Sequence, residues 1–143
     1  MSVVRRLVLI AAPQAVSREL GDALREDAEV LGAEHADEAI FLIDRQRPDL
    51  VVVCYVFDEM RPFRLISYVR EELGRTDIPI VLVRALPVPL GTTQEAEIRE
   101  SYRSLGVADF VNFRDEAQER GVDAALEHFR AVILSLLPGE PDE

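Results

Sequence analysis

The residues of this chain placed to do chemistry are one cysteine, two acids and one arginine. Cys54 closes the apolar run in "PDLVVVCYVFDE", Asp58 and Glu59 follow it, and Arg84 closes a second run, "IVLVR". A cation beside a thiol lowers its pKa and makes it reactive, so Arg84 could turn Cys54 into an oxidation sensor. Cys54 is the single cysteine among 143 residues, and a sulfenic acid there would need glutathione or another protein to resolve it. The blander reading, which the residues favour, is that a small apolar side chain fills a pocket, as buried free cysteines do. Arg84 at the lip of that pocket calls for a carboxylate partner, with Asp58 and Glu59 as candidates. Its alternative is a guanidinium pointing to solvent.

Other chemistries fail on residue type. All sixteen basic residues are arginine, which rules out Schiff-base catalysis and a lysine-bearing phosphate loop. "LGTTQ" at 90–94 supplies one glycine, too few to cradle a phosphate. His35 and His128 lie on different segments without metal-ligand spacing, and no serine sits in a nucleophile-elbow context. With no set of base, acid and nucleophile, the expectation is a non-enzyme without cofactor or metal.

Charge narrows the partners. Twenty-seven acids against 16 bases leave a net charge of −11, which argues against nucleic acid and anionic membranes, both held by cationic patches. Glu71, Glu72, Glu95, Glu97 and Glu100 read as solvated helix faces. A lone cysteine fits a reducing compartment, so the expected location is the cytoplasm. "MSVVRRLVLIAAPQA" superficially resembles a secretory leader, but its apolar run is short and reads better as a first core strand.

These groups must be held by alternating elements. Apolar runs lie at Leu7–Ala12, Ala28–Gly32, Leu50–Cys54, Ile80–Val83 and Ala108–Val111, and those rich in valine, leucine and isoleucine lack alternation, as strands buried on both faces do. Between them lie helical faces: Val16, Leu20, Ala23 and Leu24; Ala36, Ala39, Ile40 and Ile43; Ile66, Val69 and Leu73; Ile98, Tyr102 and Leu105. A last helix near Ala117 to Leu137 stacks Val122, Ala125, Leu126, Phe129, Val132, Ile133 and Leu136. Asp37 is the expected cap region of the second helix, Gly74 follows the third and Gly106 closes the fourth. Five strand and helix alternations predict one α/β domain over residues 1–137, with helices on both faces of a parallel sheet and a disordered acidic tail over 138–143. Ligands of such sheets bind at the carboxyl ends of the strands. Ala11 and Ala12, Cys54, Arg84, and Asn112 with Phe113 and Arg114 stand there.

The stretches "RLVLIAAP", "RPDLVVVC", "IPIVLVRA" and "GVADFVNF" carry a more specific likeness. From about Arg6 to Leu137 the chain resembles the receiver domain of two-component response regulators. The resemblance implies a flavodoxin-like fold with a five-stranded parallel sheet in the order 2-1-3-4-5. It also implies a degenerate phosphorylation site. Where the family has a metal-binding acidic pair stand Ala11 and Ala12, which offer no hard oxygen ligand. Cys54 stands at the phosphoacceptor aspartate, Arg84 at the hydroxyl residue after strand four, and Phe113 at the lysine after strand five. Asp58, Arg61, Pro62 and Arg114 depart from the family's loop pattern too. Phe110 keeps the aromatic position on strand five that packs in or out during family signalling. By resemblance the interaction surface would hold Tyr102, Arg103, Phe110 and Phe113. "LPVPLG" stiffens a nearby loop. The expected function is that of a pseudo-receiver binding another signalling protein, or itself, without phosphorylation. A redox or small-ligand sensor centred on Cys54 and Arg84 is the alternative.

Overall fold

In a computed structural model that describes residues 6–55, 62–74, 77–86 and 92–137, five strands are separated by helices. In chain order these are β1 (Leu7–Ala11), α1 (Gln14–Leu24), β2 (Glu29–Ala33), α2 (Ala36–Gln46), β3 (Leu50–Cys54) and α3 (Pro62–Ser67). A π-helical turn (Tyr68–Glu72) extends α3, followed by β4 (Ile80–Val83), α4 (Thr92–Ser104), β5 (Asp109–Val111), α5 (Phe113–Arg120) and α6 (Val122–Leu136). The sheet is parallel throughout in the order β2-β1-β3-β4-β5. This is the expected flavodoxin-like arrangement. Every residue of β3 and of β4 is buried, because helices cover both faces of a sheet whose strands are valine, leucine and isoleucine. The edge strand β2 is buried only at Ala33.

Helix packing follows the apolar spacing. Helix α1 buries Val16, Leu20 and Leu24, and a Cβ added at Gly21 would lie 3.3 Å from Val30 Cγ1, so glycine lets α1 press against β2. Helix α2 buries Ala36, Ala39 and Ile43, and α6 buries Ala125, Phe129 and Ile133. Gly74 and Gly106 take φ of 66° and 82°, the left-handed conformation of helix ends. Asp37 is not the cap of α2: His35 stands at that position, and Glu38 Oε1 accepts from the Glu34 amide at 2.9 Å, one donor of the turn satisfied from inside the helix.

The last expected helix is two helices. Asn112 caps α5 by accepting from the Asp115 amide, and Asp115 and Glu116 stand in its first turn, where the helix dipole favours acids. Gly121, at φ 94°, then breaks the chain before α6. Val122, expected in the buried stripe, is 47% exposed because it opens α6 immediately after that break. The expected tail at 138–143 lies outside the described residues.

Candidate functional site

Parallel strands bring all their carboxyl ends to one side of the sheet, and the expected residues meet there. Ala11 and Ala12 are fully buried, and the Ala12 amide donates to the Ala33 carbonyl at 2.9 Å. Cys54 is 1% exposed and in register with Val83 of β4. Arg84 and Asn112 are the buried polar side chains among the described residues, 7% and 8% exposed.

A guanidinium is buried only where hydrogen bonds replace its water. Arg84 Nη1 donates to Asn112 Oδ1 at 3.0 Å and to Asp115 Oδ1 at 2.8 Å. Asn112 Nδ2 donates in turn to Asp115 Oδ2 at 3.0 Å and to Glu95 Oε1 at 3.3 Å. Glu95 also receives Arg99 at 3.3 Å, and the Arg99 guanidinium lies 4.9 Å from the centre of the Phe110 ring, a cation–π distance. One polar chain thus joins the end of β4, the first turn of α5, helix α4 and the core face of β5.

Two expectations change here. Among the described residues Arg84 pairs with Asp115 rather than pointing to solvent; Asp58 and Glu59 lie outside those residues. Glu95 is no solvated face residue, because its carboxylate is turned in toward Asn112. The sequence held signals for both partners: Asn112 and Asp115 stand at N-cap spacing, and Glu95 and Arg99 are four apart. Which cation Asp115 meets is a long-range matter that spacing does not encode.

The expected interaction residues divide by burial. Phe110 and Phe113 are 5% and 4% exposed; both belong to the core cluster, Phe110 from β5 and Phe113 from the first residue of α5. Neither meets a partner without moving. Arg103 is exposed, and Tyr102 is half-buried, its ring edge-on to Phe63 with centroids 6.5 Å apart. Phe63 is 55% exposed and was not anticipated. Burial pushes the Tyr102 hydroxyl above its ordinary pKa of 10.0, with Tyr55 adding to the rise. Among the described residues no group of three or more His, Cys, Asp and Glu could hold a metal ion, and no helix is long and apolar enough to cross a membrane.

No model of a protein family matches the sequence, and no curated protein matches it. Solved structures are. A response regulator from Hahella chejuensis superposes with a TM-score of 0.72 at 15% identity, over 96% of this chain and 99% of its own. The fold is the receiver fold. The phosphorylated cyanobacterial phytochrome response regulator has a TM-score of 0.70 at 16% identity, with 96% and 99% covered. A chemotaxis response regulator of Vibrio cholerae has a TM-score of 0.65 at 15% identity, with 90% and 98% covered. Within the receiver fold, Ala11, Ala12, Cys54, Arg84 and Phe113 stand at the carboxyl ends of β1, β3, β4 and β5.

Proposed function

We propose that this chain is a receiver-like signalling module without a working phosphoacceptor, acting by phosphorylation-independent binding of another protein or of a second copy of itself. One observation carries the reading: the cationic group at the carboxyl end of the sheet, Arg84, is engaged by the chain's own Asp115 and Asn112. Around it, Ala11, Ala12 and Cys54 are buried and small, and the alanines cannot ligate the hard cation that phosphoryl transfer needs. By resemblance to the regulators above, a chemotaxis protein and a phosphorylated one among them, the setting is two-component signalling. The module binds rather than catalyses, requires no cofactor, and acts in the cytoplasm. The burial of Cys54 counts against a redox role.

Tyr102, Arg103 and Phe63 are the contact residues of this reading, as aromatic and arginine side chains at the surface are the types that anchor interfaces. The test incubates the chain with acetyl phosphate and magnesium, follows intact mass, and runs lysate capture with and without that donor. The expected result is no phosphorylated species and the same retained protein in both conditions, lost in a folded Tyr102→Ala/Arg103→Ala variant. Phosphate incorporation, or a partner retained only with the donor, would overturn the reading.

A further inference from the structure

Asn112 uses its whole hydrogen-bonding capacity. Its Oδ1 accepts from Arg84 Nη1 at 3.0 Å and from the Asp115 amide at 3.2 Å, while Nδ2 donates to Asp115 Oδ2 at 3.0 Å and Glu95 Oε1 at 3.3 Å. Two lone pairs and two N–H groups are all an amide has. The same buried side chain is therefore the N-cap of α5 and the tether of α4, two successive helices with β5 between them. Moving either helix away deprives the amide of bonds on that side, and a partly satisfied buried polar network is costly.

We infer that α4 and α5 are latched to one another through Asn112 and loosen together, as one two-state element. Asp115 holds the latch from the α5 side through Arg84, and Glu95 holds it from the α4 side. Glu95 also holds Arg99, whose guanidinium lies over Phe110, so opening the latch frees the cover of that ring. This is a property of the chain itself and does not require a partner or the proposed signalling role.

Coupling between sites is reciprocal, and that makes the inference testable from both ends. Among the described residues the Asp115 side chain bonds Arg84 and Asn112, neither of them in α4. Hydrogen exchange by mass spectrometry on the full chain compares wild type with Asp115→Ala and Glu95→Ala. The expected result is that Asp115→Ala speeds exchange over 95–104 of α4, and Glu95→Ala speeds it over α5, each by roughly tenfold, a common size for coupling between sites. Protection of β1 and β3 serves as the measure of global stability, and the expected acceleration is what remains after any change there is subtracted. Should an alanine variant lose that protection, Asp115→Asn and Glu95→Gln replace it, since both keep the side-chain shape. An effect confined to the substituted residue's own helix, or none in either helix, overturns the latch.

Discussion

Arg84 at the end of β4 and Asp115 in the first turn of α5 form an ion pair of 2.8 Å whose cation is 9% exposed and whose carboxylate is 50% exposed. An exposed pair contributes little, whereas a desolvated cation left without its partner is costly. The half-open carboxylate places this pair between the limits. Asp115→Ala is expected to lower stability by about 1–2 kcal/mol, the scale of a charge-assisted hydrogen bond and a helix-dipole acid lost together. Urea unfolding of wild type, Asp115→Ala, Arg84→Gln and the double variant measures it. The expected cycle gives a coupling above about 0.5 kcal/mol, and additive effects would show the pair to be inert.

Burial predicts the reactivity of Cys54. At 1% exposure its thiol meets a reagent only when the sheet end opens, so modification by a disulfide reagent at neutral pH is expected to be at least about a hundredfold slower than in denaturant. Comparable rates in the two conditions would revive the thiol as a sensor.

Gly74 and Gly106 share a left-handed backbone and differ in surroundings. Among the described residues nothing lies within 4 Å of a Cβ added at Gly74, while one at Gly106 would stand 3.1 Å from Arg70 Nε. Arg70 also donates to the Gly106 carbonyl at 2.8 Å. Alanine at either site incurs a left-handed penalty of roughly 1–2 kcal/mol. Gly106→Ala is expected to cost more, because Arg70 must shift as well. Thermal unfolding of the two variants ranks them, and equal losses would mean that Arg70 yields freely.

Tyr102 sets a pH dependence at the alkaline end. Its pKa is raised from 10.0 by burial and then by Tyr55, so the folded state holds the proton more tightly than the unfolded chain does. The stabilising contribution is therefore fully present below pH 10 and is lost as pH rises through the folded value. Tyr102→Phe is expected to flatten the fall in stability above pH 10, read by urea midpoints across that range. An unchanged slope would show that the hydroxyl is hydrated in the folded chain.

Legibility differed between strands, helices and partners. Five apolar runs marked the five strands within a residue or so, because a strand buried on both faces must be apolar along its length, and Leu50–Cys54 and Ile80–Val83 are. Helical faces were legible through their period, and Gly74 and Gly106 as stops. The break at Gly121 was not, since the stretches on both sides of it are compatible with helix, and only the φ of 94° divides them. Resemblance placed Phe110 and Phe113 on the interaction surface, and the sequence does not say which face of a strand end is covered.

By itself the sequence determined the five strands and the side-chain types available for chemistry. A chain without lysine cannot form a Schiff base on one, wherever the chain goes. Tertiary structure alone decided what Arg84 meets. Among the described residues its partners Asn112 and Asp115 lie 28 and 31 residues away, beyond the reach of any local period. The crossing of β4, α4, β5 and α5 makes them neighbours, and a buried guanidinium must take the oxygens that fold places beside it.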